Sequence, residues 1–349
     1  MGKDEILVEV AGGPVRVTNP SKVMFPEQGW TKLDLVQHYV HCAEGALRNV
    51  FGRPTVLKRW NSGVAGEPFF QKRAPKGAEH EYATITFPSG RTADLFVPRE
   101  AADIVWMAHL NCLDLNPWPV RAEDVDAPDE LRVDLDPTPE ASFADVRRVA
   151  IEAGEVLREH GLTGWPKTSG SRGIHVFVRI APEWSFTAVR RAALALAREV
   201  ERRIPDLATT AWWKEQRHGV FIDFNQNARD RTVASAYSVR PTGLVSAPLT
   251  WDEVPDVELE DFPLDRFAAR YDEVGDLTAG IDESTGRLDG LLELARRDEQ
   301  DGLGDAPWPP HFPKQDGEPT RVQPSRARKA AVEKWANQPP APGRRGKQR

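Results

Sequence analysis

Apolar and polar positions change period several times along the chain, and each change marks an element. Ile6, Val8 and Val10 alternate with polar residues, Gly12-Gly13-Pro14 interrupts, and Val15-Arg16-Val17 resumes, which predicts strand, turn and strand. After Gly29 the period lengthens. Leu33, Val36, Tyr39, Val40 and Ala43 share one face of a helix that Thr31 would cap and that runs to about Arg48. Short strands are predicted at Val56-Leu57, Phe69-Phe70, Ala83–Phe87 and Asp94–Val97, and a helix over Ala101–Leu113 that Asn116-Pro117-Trp118-Pro119 stops. Then come a strand at Leu131–Leu135, a helix from Phe143 to His160 ending at Gly161, and the cleanly alternating strand Ile174–Ile180. The Ala- and Leu-rich stretch Thr187–Ile204 is a helix; Val220–Phe224 and Thr232–Val239 read as strands, and Asp289–Arg297 as a last short helix. Strands interspersed with helices predict an α/β (α+β) fold.

Composition narrows the class. The 349 residues, 40% of them hydrophobic, suffice for one large domain or two modest ones. No apolar run approaches the roughly 20 residues of a membrane helix, and Met1–Glu5 does not open a signal peptide, so a soluble cytoplasmic protein without membrane contact is expected. Cys42 and Cys112 are the only cysteines, too few for a disulfide framework or a Cys-rich zinc module. The net charge of -7 is unevenly spread: 11 Lys/Arg face 7 Asp/Glu in residues 1–76, 5 face 18 in 252–313, and 10 face 3 in 314–349. Screening limits attraction to about 10 Å, so a polyanion remains compatible with the acidic total if the basic segments bind it. Beyond about Gly302 the chain turns to Pro, Gly, Gln, Arg and Lys, and 303–349 is expected to be a disordered basic tail.

Three motifs carry chemistry. In Arg132-Val133-Asp134-Leu135-Asp136-Pro137, positions i and i+2 of a strand share a face, so Asp134 and Asp136 project together. Paired carboxylates repel unless a cation sits between them, and oxygen-only ligands favour magnesium or manganese. Lys167-Thr168-Ser169-Gly170-Ser171-Arg172-Gly173 runs into the strand bearing His175; its glycines and hydroxyls suit backbone approach to a phosphate, with charge from Lys167 and Arg172. Asp223 closes the apolar strand Val220–Ile222 and is a candidate third carboxylate for a two-metal site. Arg231 and Arg240 are basic residues on an otherwise apolar segment, suited to a triphosphate.

Taken together and in this order, Asp-Leu-Asp-Pro at 134–137, Thr-Ser-Gly-x-x-Gly-x-His at 168–175, and Phe221-Ile222-Asp223 with Gln226-Asn227 and Tyr-Ser-x-Arg at 237–240 resemble the archaeo-eukaryotic primase superfamily. Within it the match is to the polymerase domain of bacterial DNA ligase D, of non-homologous end joining, and to its stand-alone relatives, over residues 14 to 300. The resemblance implies a primase-polymerase fold with an RRM-like mixed central sheet. It implies one catalytic domain over 1–302, made of an N-terminal module (1–125) and a catalytic core (126–302). It further implies template-directed addition of NTP or dNTP to a primer 3′-hydroxyl at gapped, nicked or broken DNA. Asp134, Asp136 and Asp223 would hold two Mn2+ or Mg2+ ions. Ser169, Arg172, His175, Gln226, Arg240 and Lys58 would seat the nucleotide, with Arg217 matching an Arg just before the third motif. Where the family commonly has His after Leu-Glu-Val/Leu, this chain has Asn116, which can hydrogen-bond to a sugar but cannot be protonated.

Asn19, Lys22 and Lys32 match a pocket for the 5′-phosphate of a broken end; lysines at a helix start oppose the dipole, which a bound anion would relieve. Phe69 and Phe70 match aromatics that stack on the template. Adjacent strand residues face opposite ways, so Phe70 is expected exposed and Phe69 buried. Arg287-Leu288-Asp289-Gly290 lacks the lysine of a nucleotidyl-transfer motif, so ligation is expected of a separate ligase, with a Ku-like end-binding partner and a monomeric polymerase. Two other functions compete: a metal-dependent sugar-nucleotide transferase, which leaves residues 168–175 and Asp223 unexplained, and a non-catalytic DNA-end binder, which an intact carboxylate triad does not need.

Overall fold

The computed structural model describes residues 4–71, 80–283, 285–314, 318, 319 and 321. Its centre is a five-stranded sheet in the order Trp165–Thr168, Ile174–Arg179, Glu130–Pro137, Val220–Ile222, Ala208–Thr209, antiparallel except for the last pair. Because side chains alternate, Leu131, Val133 and Leu135 serve the core, which they share with Val149, Ala153 and Val156 of the helix Phe143–Glu159 and Val189 and Leu196 of the helix Phe186–Arg203. The opposite face is left polar, with Arg132, Asp134 and Asp136 in a row. Each helix starts where the chain offers an oxygen to free N–H groups: Ser142 with a reciprocal Asp145, and Ser185.

The N-terminal half builds a second sheet around Thr55–Arg59, flanked by Phe69–Gln71, Thr92–Phe96, Tyr82–Thr86 and the two-residue strand Asn116–Pro117. The hairpin Glu5–Val8/Val15–Thr18 forms as its alternation predicts, with Gly12 and Gly13 at positive φ in the turn. The larger of two hydrophobic clusters among the described residues runs from Val15 to Leu291 and takes residues from both the N-terminal elements and the central sheet. Among the described residues no helix is long and apolar enough to cross a membrane.

Several elements differ from expectation. The first helix is two, Lys32–His41 and Ala43–Val50: Thr31 caps it as foreseen, with Asp34 bonding back to it, but the chain turns at Cys42, whose N–H and thiol both donate to His38 O at 3.1 Å. The helix from Ala101 stops at His109, since Asn111 takes a left-handed φ of 67° and the chain then runs beside Arg59. Thr232–Val239 is not a strand. Its amides are shared out, Ser235 and Val239 to Leu115 and Leu113, Tyr237 to Ser246, and Tyr237 sits at φ 66°, so no ladder forms. Strands at Asp124–Pro128, Trp165–Thr168 and Ala208–Thr209 and the helix Phe267–Val274 were not foreseen. The stretch from 303, expected to be disordered tail, begins as packed chain, with Trp308 buried at 3% exposure; most of that expectation, at 315–317, 320 and 322–349, lies outside the described residues.

Candidate active site: an acid triad beneath a basic cleft

Asp134 and Asp136 stand on the polar face of the central strand. Asp223 follows the neighbouring strand, and its N–H extends the ladder to Asp134 O at 2.9 Å. One carboxylate oxygen from each of the three lies within 4.8 Å of the others. Asp223 caps the 3-10 turn Phe224–Asn227: Oδ1 accepts from Asn225 N at 3.0 Å and Oδ2 from Gln226 Nε2 at 3.1 Å. Burial first, then mutual repulsion, pushes these acids up, Asp136 and Asp223 each to about 7. Burial likewise raises Asp134 to about 6, against the pull of Lys167 and Arg240. Three crowded oxygen donors that cannot all ionise alone fit a hard divalent cation, which would neutralise them.

His175 pairs with Asp134 across the sheet, its Nε2 3.2 Å from Asp134 Oδ1. Behind it Lys167 Nζ reaches His175 Nδ1 at 2.7 Å, Ala234 O at 2.8 Å and Ser246 Oγ at 2.6 Å. Lys167 was expected to lend its charge to the phosphate loop. It is instead buried at 2% exposure and spent on these partners, and burial lowers its pKa well below the usual lysine value. With Asp134 ionised, the network assigns the ring proton of His175 to Nε2, facing the acid. The loop before the strand is shaped by Ser169, whose hydroxyl accepts from the N–H groups of Ser171 at 3.1 Å and Gly173 at 2.9 Å. Gly173 is required there: a Cβ would lie 2.1 Å from Leu135 O.

A cleft of about 430 Å³ opens above the acids, lined by Lys58, Phe70, Asn116, Ser169, Arg172, His175, Gln226 and Arg240. Sequence reasoning grouped these residues, except Phe70, which it assigned to the template; it missed Asp114, which contacts Lys58, Arg240 and Asn116. Asp114 is buried at 1% exposure, takes Lys58 Nζ at 2.9 Å and lies 3.9 Å from Arg240 Nε. Arg240 Nη1 donates to Ser169 O at 3.2 Å, while its Nε and Asp114 Oδ1 find no hydrogen-bond partner. Asn116 Nδ2 donates to Asp114 O at 3.2 Å. Arg217 is not in the cleft lining. It lies 3.4 Å over the Phe221 ring and donates to Ala211 O and Trp212 O, near enough to Asp223 and Asp136 to feel their charge.

A second basic patch lies on the other side of the strand Thr55–Arg59. Asn19 sits at φ 53°, Lys22 Nζ donates to Asn61 O at 2.5 Å, and Lys32 Nζ donates to Thr18 O and His109 O, both at 3.0 Å. Burial and the neighbouring Lys22 and Arg59 push Lys32 down to about 8; burial with Lys32, Arg59 and Arg16 pushes His109 down to about 4. Arg59 and His109 escaped the sequence reading. The alternation of Lys58-Arg59 on a strand was the available signal, sending one cation to the cleft and the next to the patch. Phe69 and Phe70 are both exposed, at 56% and 51%, against the expectation that one is core. They lie on an edge strand with neither face covered, opposite Arg59 and Lys58.

Strand-borne carboxylates under a cationic cleft define a class of metal-assisted nucleotidyl-transfer folds, and the comparisons specify it. A family model described as "LigD, primase-polymerase domain" matches residues 31–278. The multifunctional non-homologous end joining protein LigD of Mycolicibacterium smegmatis is 36% identical over 278 residues, 77% of this chain and 36% of that protein. The bifunctional LigD of Bacillus subtilis is 28% identical over 247 residues, 69% of this chain and 39% of that protein. The polymerase domain of Mycobacterium tuberculosis ligase D, solved in complex with DNA, superposes with a TM-score of 0.72 at 30% identity, covering 78% of this chain and 99% of that one. The chain belongs to the LigD primase-polymerase family, and it spans little more than a third of the length of the curated relatives it matches.

Proposed function

We propose that this chain adds nucleotides to a primer 3′-hydroxyl at gaps or broken ends of DNA, by phosphoryl transfer through two divalent cations held by Asp134, Asp136 and Asp223. The observation that carries the reading is the meeting of Asp223 with the distant pair Asp134 and Asp136 within 4.8 Å, the pair lining a basic cleft. Bound Mn2+ or Mg2+ would activate the hydroxyl and offset charge on the leaving pyrophosphate. The chain's own residues bind and orient. Lys58, Arg172 and Arg240 are cations for a triphosphate; His175 directs Nε2–H into the site; Gln226 steadies Asp223; Ser169 shapes the loop that receives the nucleotide. Asn116 stands nearest to a sugar-reading role, and Arg217 supports the acid side from outside the cleft.

Lys22, Lys32 and Asn19, now with Arg59 and His109, form the candidate 5′-phosphate site, and Phe69 and Phe70 offer two open rings to template bases. Sealing of the product and capture of the ends fall to a ligase and a Ku-like protein as partners. Primer extension on a gapped duplex with Mn2+ tests the reading. Asp134→Ala or Asp136→Ala should lower extension by more than about a hundredfold, the loss of several kcal/mol of transition-state stabilisation, with DNA binding retained. Extension by either variant at native rate would refute it.

A further inference from the structure

Of the three acids, Asp223 alone stands off the central strand, at the head of a turn, so its position is only as firm as that turn. The neighbouring Asn225, whose N–H holds Asp223 Oδ1, is itself clamped from outside the cleft. Its Oδ1 accepts from Arg190 Nε at 2.7 Å, and its Nδ2 donates to Pro307 O at 3.3 Å. Arg190 is 1% exposed and spends its remaining donors on the C-terminal segment: Nη1 on Asp305 Oδ1 at 2.7 Å, Nη2 on Ala306 O at 2.8 Å and Pro307 O at 3.1 Å. Its guanidinium lies between two rings, 5.2 Å from Phe224 and 4.1 Å from Trp308. The Trp308 indole donates back to Asp305 Oδ2 at 2.8 Å, and the Trp308 N–H is held by Glu318 at 2.7 Å. This segment lies beyond residue 278, where the family match ends.

We propose that Arg190, fixed by the Asp305–Trp308 segment, is a positioning residue that holds the third metal-binding carboxylate in place through Asn225. Repulsion from Asp134 and Asp136 pushes Asp223 away whenever it ionises, and the clamp opposes that displacement from the far side of the turn. Groups that orient metal ligands from behind tune affinity about 10–100-fold. The inference rests on the two-metal reading of the triad, so the test separates the two.

The measurement is Mn2+ binding to the full chain, followed by electron paramagnetic resonance of the free ion, with thermal melting and binding to a 5′-phosphorylated gapped duplex alongside. Asp305→Ala, Trp308→Ala and Arg190→Lys are each expected to weaken Mn2+ binding about tenfold, while the distant basic patch keeps its grip on the DNA end. Asp305→Asn, which keeps shape and loses charge, gives the same reading should alanine unfold the segment. If the variants melt earlier yet the folded protein binds Mn2+ as tightly as the native chain, the segment is merely structural and the proposal falls. Asp223→Asn is the control: weakened binding there with unchanged clamp variants removes only the clamp, whereas unchanged binding in Asp223→Asn removes the triad reading and the clamp with it.

Discussion

Asp114 has one oxygen on Lys58 and the other without a hydrogen bond among the described residues, in a setting with 1% exposure. A buried carboxylate is tolerable only with cations beside it, and the two it has, Lys58 and Arg240, are those a triphosphate would need. Under the proposed function Asp114 would act on substrate through them, holding both side chains at the cleft before a nucleotide arrives. Asp114→Asn should raise the nucleotide KM in primer extension more than it lowers kcat. A double-mutant cycle with Lys58→Met should show a coupling of about 0.5–3 kcal/mol, because the two share one interaction. Simple additivity would mean that Asp114 does not work through Lys58. Sequence alone put Asp134 and Asp136 on one face, because i, i+2 spacing on a strand is a local property, whereas Asp223 and His175 were joined to them through the resemblance. It hid Asp114 and misjudged Lys167, because what lies behind a loop depends on segments more than 50 residues away, Ser246 in one case and Lys58 in the other.

At the scale of elements, the helix Lys32–His41 meets the irregular stretch around Tyr237 through one buried histidine. His38 Nε2 lies 2.9 Å from Tyr237 O and packs edge-on against Tyr39 and Phe267, with His41 on the same helix and Cys42 just past its end as titratable neighbours. Burial pushes its pKa from 6.5 down to about 4. The folded state therefore prefers neutral His38. Between those two values the unfolded chain binds more protons, so stability falls as pH drops through that window. A shift of that size corresponds to about 2 kcal/mol lost between pH 7 and pH 5. Urea unfolding of the native chain and of His38→Gln, which keeps a donor and cannot titrate, isolates it: the shifts of His109 and of the three acids act in both proteins, so the native chain should lose about 2 kcal/mol more than the variant between the two pH values, and an equal change in both would assign the loss elsewhere. Elements of this kind explain which parts of the fold were legible. Ile174–Arg179 and the long helices declare themselves by period, and the first helix also by its cap Thr31. Thr232–Val239 has the composition of a strand, but its amides serve two different neighbours, and only the assembled molecule decides that.

Across the whole molecule, the strand Thr55–Arg59 stands between two cationic sites and feeds both. Lys58 turns to the cleft over the acids, and Arg59 turns to the patch with Lys22, Lys32 and His109. The framework between the halves is itself ionic and buried: Arg53 bonds Asp129, Arg179 bonds Glu130, and Arg132 joins Glu130 to Pro117 O. Such a network is rigid while complete, and removing one member leaves buried charge at a cost of about 3–5 kcal/mol. Rigidity is what a gap-filling reaction would use, since the distance from a 5′-phosphate in the patch to the primer end over the acids would then be set by the fold. The two sites should separate experimentally. Lys22→Ala with Lys32→Ala removes cations that lie outside the cleft lining, so nucleotide KM on a gap bearing a 5′-hydroxyl should stay within about twofold of native, as additivity of distant sites requires. The same variant should lose its preference for a 5′-phosphate, and the salt dependence of binding to phosphorylated ends should become shallower, because fewer counterions are released. Titrating both DNA ends against salt, with extension assayed in parallel, reads all three. A variant that kept the full phosphate preference would show that the patch does not hold the end, and the proposed spacing between the two sites would lose its anchor.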